Sequence, residues 1–253
     1  MQNLASSTTA AQVKKLVDLA KEEKIARRLD FIYGRVPMND CQRCADCCFT
    51  SPQVRELEFL NIYDSLRSLP ELEQRRLGRK LVEYEILSLA TLKNKCPFLR
   101  QDDCLIYERR PLQCRLFGLY PLEEYTDMVA KCRRQNEDLA GYYARVKGLS
   151  LSEDVMTYDI DQCANNIDRS GKAVVVAAAE RDRLNAQISE LGRQVLPDHQ
   201  HSSGLVNFSN YYVLTYLEDE FLEDAKVKAI REFQKTGRSR TLDDLLTGYN
   251  WRF

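Results

Sequence analysis

Between Cys41 and Cys48 the chain reads CQRCADCC, which places four of its nine cysteines within eight residues. The spacing is C-x2-C-x2-C with one more cysteine at once. Two intervening residues let both sulfurs of a C-x2-C turn onto one centre, as in zinc knuckles and iron–sulfur loops. Three cysteines so spaced look like the first three ligands of a ferredoxin-type [4Fe–4S] loop, whose fourth thiolate can come from elsewhere in the chain. Cys48 fits a single tetrahedral ion poorly, because neighbouring side chains in extended backbone point to opposite faces. Cys47 and Cys48 then serve two centres, touch two irons of one cluster, or include one non-ligand.

Cys96, Cys104, Cys114 and Cys132 follow at gaps of seven, nine and seventeen intervening residues. Those gaps are too long for a local knuckle, so these thiols reach the first group only if the fold carries them there. Eight thiols complete two four-cysteine sites, or one cluster with spares, and counting does not choose between these. Cys96 precedes Pro97, a pairing also found in ferredoxin loops. Cys163, in DIDQCANN, reads as a small core hydrophobe.

The start, MQNLASSTTAAQVKK, has no basic region followed by an apolar one, so no secretory leader is expected. The longest apolar run, AVVVAAA (173–179), falls far short of a membrane span. The expected address is the cytoplasm, where dense cysteine spacings mean metal more often than disulfides. With 37 basic and 38 acidic residues and no long like-sign block, the chain lacks the basic excess of a nucleic-acid binder.

Ten glycines and seven prolines in 253 residues favour helices. Thr9 and Gln12 predict a capping box for a helix from Ala10 to Tyr33, stopped at Gly34. Ser51 and Pro52 predict the start of a second helix, and Ser68, Pro70 and Glu71 that of a third. Two apolar runs flanking RQDD (100–103) predict a hairpin, after which Pro111 opens a short helix carrying Cys114. Helices are further expected over 122–147, 172–196 and 210–234, with a last turn at TLDDLL (241–246). The expected architecture is mainly α, with a small β-hairpin and irregular cysteine-rich loops around a metal site. The boundary is placed near residue 150, between a cysteine module (1–150, motif 41–132) and a helical region (151–253). One continuous domain is the alternative.

CQRCADCC, CPFL, CLIYERRPLQCR and then Cys132 together resemble the YkgJ family, also described as a CxxCxxCC zinc- or iron-chelating domain. That family is similar to the cysteine-rich part of bacterial flagellin lysine N-methylases. The resemblance spans residues 41–132. It implies a metal site drawing on Cys41, Cys44, Cys47, Cys48, Cys96, Cys104 and Cys114, with Cys132 as the later single cysteine. It also carries Ile106, Tyr107, Arg110, Pro111 and Arg115 onto the family's C-x-I-Y-x-x-R-P-x-x-C-R block. Arg110 and Arg115 beside Cys114 would favour thiolates and offset a centre's negative charge. Tyr107 reads as a core aromatic with a satisfied hydroxyl.

His199 and His201 in PDHQHSSG read as loop residues rather than ligands. The chain has no Gly-rich phosphate loop, nucleophile elbow or dinucleotide fingerprint, and offers no recognisable S-adenosylmethionine site. Two readings follow. In the first, a cytoplasmic protein carries an iron–sulfur cluster for redox or cluster-dependent chemistry. In the second, a structural Zn²⁺ staples the loops and the C-terminal helices bind a protein partner.

Overall fold

The computed structural model describes residues 9–38, 41–45, 47–91, 95–101, 103–157, 163, 166–168, 170–196 and 204–253. Its first element, α1 (Ala10–Glu22), starts at the expected capping box. The Gln12 amide donates to the Thr9 hydroxyl oxygen at 3.4 Å, and the Thr9 amide donates to the Gln12 side chain at 2.7 Å. Such a cap contributes about 1 kcal/mol. The helix does not run on to Tyr33. Lys24 takes a left-handed conformation (φ 53°) and α2 (Ile25–Tyr33) begins anew. The apolar stripe explains the break. Val13, Val17 and Ala20 are buried, and Lys24 stands where the next apolar residue is due. The turn re-phases the chain so that Ile25, Leu29 and Ile32 are buried instead.

Ser51 and Pro52 do not start a helix. Gln53–Val54 form β1, which pairs antiparallel with β4 (Val206–Asn207), and the helix α3 (Glu56–Arg67) starts only afterwards. The Ser51 hydroxyl is taken by the Ser209 amide at 3.0 Å, and the Phe208 amide donates to the Pro52 carbonyl at 2.8 Å. A partner more than 150 residues away has replaced the local cap. α3 is buried on nearly all sides, as befits a central helix, with α1, α2 and α8 (Ala178–Val195) packed around it. α4 (Glu71–Leu87) begins after Pro70 as expected.

The expected hairpin is present as β2 (Leu99–Arg100) and β3 (Asp103–Cys104), with Leu99 opposite Cys104. Pro111 precedes α5 (Leu112–Leu116), and α6 (Leu122–Tyr142) runs into a π turn at Tyr143–Lys147. A short α7 (Glu153–Met156) lies in the stretch the sequence leaves undecided. Residues 172–177 are extended rather than helical. The Val174 and Val176 amides donate to the carbonyls of Asn166 and Leu119, so this β-branched run serves as an edge before α8.

The C-terminal part forms two helices where one is expected, α9 (Phe208–Leu214) and α10 (Asp219–Thr236). Thr215 stops the first: its hydroxyl donates to the Tyr212 carbonyl at 2.7 Å, and its own carbonyl accepts from the Ala10 amide at 3.0 Å. Asp219 and Glu220 then occupy the first turn of α10, where negative charge suits the helix dipole. α11 (Arg240–Gly248) is capped by Ser239. Trp251 is buried, with its indole N–H on the Leu245 carbonyl at 3.0 Å. PDHQHSSG falls almost wholly outside the described residues, as do both histidines.

One hydrophobic cluster runs from Val13 to Trp251 and draws on helices from both sides of residue 150. The described residues are mainly α with two two-stranded ladders. No helix among them is long and apolar enough to cross a membrane.

Candidate metal centre

Cys47 and Cys48 do not lie in extended backbone. They fall in a turn, closed by the Cys48 amide donating to the Ala45 carbonyl at 2.9 Å. Their thiols therefore meet instead of pointing apart, and a hydrogen bond joins them. The Cys48 carbonyl accepts from the Cys96 amide at 2.9 Å, so the second cysteine segment is hooked directly onto the first. Two residues on, Phe98 is fully buried with its ring centroid 5.0 Å from that of Phe208 in α9. The hairpin then carries Cys104 back alongside, and α5 supplies Cys114.

The thiols of Cys47, Cys48, Cys96, Cys104 and Cys114 influence one another. Contact with Cys47, burial, and the nearby Cys47, Cys96 and Cys104 push Cys48 far up. Burial pushes Cys96 up to about 12, with Cys104 and Cys47 adding to it, while the amides of Phe98 and Leu99 donate to its sulfur and pull the other way. Burial also raises Cys104, against an N–H from Ile106 and the charge of Arg110. Cys114 is pushed well up by burial and by Cys96, Cys104 and Cys47. Burial and the neighbouring thiols thus favour the neutral form of each. A bound metal reverses that preference and deprotonates coordinating thiols. Amide-to-sulfur hydrogen bonds stabilise the thiolate form in advance.

Cys41 and Cys44, like Cys47, lie exposed on the first loop. Arg43 (φ 52°) and Ala45 (φ 62°) hold left-handed conformations without being glycine, a strain of about 1–3 kcal/mol each that collects at functional loops. Alternating hands of backbone aim successive amides into one concavity, as in many anion and iron–sulfur sites. The Arg43 guanidinium lies 4.1 Å from the ring centre of Tyr107, that of Arg110 lies 3.7 Å from it, and Arg43 also pairs with Asp103 at 3.4 Å. Tyr107 is thus the platform on which the first loop rests against the second segment. Arg43 carries no signal in the sequence beyond its place inside a C-x2-C.

Arg110 acts on Cys104 and Cys114 by charge. Arg115 is used differently. Its Nε donates to the Arg110 carbonyl and its Nη2 to the Glu108 carbonyl, both at 2.8 Å, and its guanidinium lies over Tyr33 at 4.4 Å. It staples the turn between Cys104 and Cys114. Cys132 is exposed on α6 and is not among the thiols that influence one another. Cys163 packs against Gly118, whose positive φ (79°) and missing Cβ permit the close approach.

An all-sulfur donor set suits zinc or iron and disfavours magnesium or calcium. Among the described residues, no three His, Cys, Asp or Glu side chains are already closed on a common point.

Residues 40–133 match one family. Its model is described as "CxxCxxCC: Putative zinc- or iron-chelating domain". The matched segment runs from just before Cys41 to just after Cys132, which agrees with the resemblance read from the motif. Neither a curated protein nor a solved structure matches the chain. The CxxCxxCC segment contains every cysteine but Cys163, together with Arg43, Tyr107, Arg110 and Arg115.

Proposed function

We propose that this protein holds an iron–sulfur cluster of the [4Fe–4S] type, ligated by cysteines of the CxxCxxCC segment, and works in the cytoplasm as a redox or sensing protein. The observation that carries this reading is that five thiols, from the first loop, the Cys96–Cys104 segment and α5, lie near enough to influence one another. Five is one more than a tetrahedral zinc site takes, with Cys41 and Cys44 on the loop alongside. Cys47, Cys96, Cys104 and Cys114 are the proposed ligands, with Cys41, Cys44 and Cys48 as the neighbouring thiols. Arg110 is the counter-charge. When bound, such a cluster supplies one-electron chemistry at a potential set by its hydrogen bonds and surroundings. The chain's own part is to bury Cys96, partly bury Cys104 and Cys114, and aim the Phe98, Leu99 and Ile106 amides at Cys96 and Cys104.

A structural zinc ion is the second reading. It is favoured by the position of Cys96 inside the hydrophobic core, where a closed four-thiolate staple would stabilise the fold. Anaerobic purification followed by iron, zinc and acid-labile sulfide analysis separates the two. Stoichiometric iron and sulfide with broad absorption near roughly 400 nm support the cluster. A colourless protein with one zinc overturns it in favour of the staple. Loss of metal in Cys96→Ser and Cys114→Ser, with full metal in Cys132→Ser, supports the ligand set. Unchanged metal in the first two overturns it.

A further inference from the structure

Glu58 is a carboxylate inside the core, only 1 % exposed, on the face of α3 that also carries Ile62 and Leu66. A lone carboxylate there is costly unless it is hydrogen-bonded. One of its three bonds closes the capping box of α3 itself, and the other two lead toward the cysteines. Oε1 accepts from the Leu112 amide at 2.6 Å and from the Tyr33 hydroxyl at 2.8 Å, while Oε2 accepts from the Arg55 amide at 2.9 Å. Leu112 opens α5, two residues before Cys114. Pro111 has no N–H, so Leu112 carries the first amide this helix can offer, and no side chain of α5 itself caps it. The Tyr33 ring, held by the same carboxylate, lies under the Arg115 guanidinium, which in turn grips the Glu108 and Arg110 carbonyls. One buried group on the helix that follows Cys47 and Cys48 therefore fixes the stretch from Cys104 to Cys114.

We infer that Glu58 is a positioning residue of the metal centre, holding α5 and the Cys114 thiol against the first cysteine loop through the Leu112 amide and Tyr33. The inference rests on the proposed metal site but concerns a residue that touches no metal. Partners behind a metal ligand typically cost about 10–100-fold in metal affinity when removed. In Glu58→Gln the side chain keeps its size but offers one acceptor oxygen where three donors converge.

The test uses the full chain, with zinc as the probe in competition with a chromophoric chelator, together with amide hydrogen exchange of the metal-free protein. Glu58→Gln is compared with Leu245→Ala, a core truncation in α11, a helix without cysteine. The expected result is weaker zinc binding by roughly tenfold or more in Glu58→Gln, with faster exchange confined to α5, and wild-type zinc affinity in Leu245→Ala. Wild-type affinity in Glu58→Gln would overturn the inference. So would an equal loss in both variants, which would mark a general loss of stability. If the wild-type chain binds no metal, the metal reading itself fails. Exchange at α5 then decides the role of Glu58, and unchanged exchange there refutes it.

Discussion

At the first turn of α3, Glu56 is 6 % exposed, and burial pushes its carboxyl from the ordinary 4.5 up to about 8. Between those values the folded protein binds a proton that the unfolded chain has lost. Stability therefore falls as the pH rises through that window and is highest below it. A tenfold change in proton affinity corresponds to about 1.4 kcal/mol, so by pH 8 the cost is on the order of a few kcal/mol. Glu56→Gln removes it. The variant should match the wild type in urea unfolding near pH 4.5 and exceed it at pH 8.5, and parallel curves at the two pH values would count against this. Tyr107 offers a second test. Two guanidinium groups lie over its ring, each contact contributing about 0.5–2 kcal/mol. In Tyr107→Leu the CQRC loop loses its platform, and limited trypsin digestion should cut after Arg43 several-fold faster. An unchanged rate would show that the loop is held by the Asp103 pair alone.

Among the elements, α4 shows packing overruling propensity. Gly78 lies within this helix, where alanine would ordinarily add about 1 kcal/mol of stability. A Cβ there would meet the Tyr212 hydroxyl, and would come within 2.7 Å of the Trp251 carbonyl oxygen. Backbone cannot yield as a flexible side chain can, and overpacking costs about 1–3 kcal/mol. Gly78→Ala should therefore lower the thermal midpoint, and a rise would mean that the C-terminal residues shift freely. The same contrast explains what the sequence disclosed. Signals written within a few residues were legible: the Thr9 capping box, the Pro70 and Pro111 helix starts, the RQDD hairpin, the cysteine motif. Features set by distant partners were not. Ser51 looks like a cap until Ser209 takes its hydroxyl, and the valines at 174–176 look helical until Asn166 and Leu119 accept their amides. The resemblance implies that Cys47 and Cys114 serve one site, but nothing in it implies the turn that brings the Cys47 and Cys48 thiols together. Glu58 did leave a trace, a carboxylate in register with Ile62 and Leu66 on an apolar helix face.

Across the whole molecule, the last fifty residues are built into the surroundings of the cysteines. β4 pairs with the strand just after Cys48, and Phe208 packs between Phe59 and Phe98. Burial pushes the Glu85 carboxyl up, but Lys226, Ser209 and Asn210 outweigh it and hold it ionised below its ordinary range. Removing one partner of a buried ion pair costs about 3–5 kcal/mol, and truncation removes all three at once. A chain ending at residue 203 should therefore lose its cooperative thermal transition and its metal together. A truncated protein that still melts cooperatively and loads metal would instead make the CxxCxxCC segment autonomous.

The β1–β4 ladder also imposes an order in time. Ser51 and the Ser209 amide that claims it are 158 residues apart. At ~5–20 residues per second a ribosome needs about 8–30 s to make that interval. From the moment Cys132 is made until Val206 is added, every cysteine of the motif exists and β4, the partner of β1, does not. A nascent chain thus presents Cys96 and Cys114 to whatever delivers metal, or oxidises thiols, before β4 joins β1 and α9 packs against Phe98.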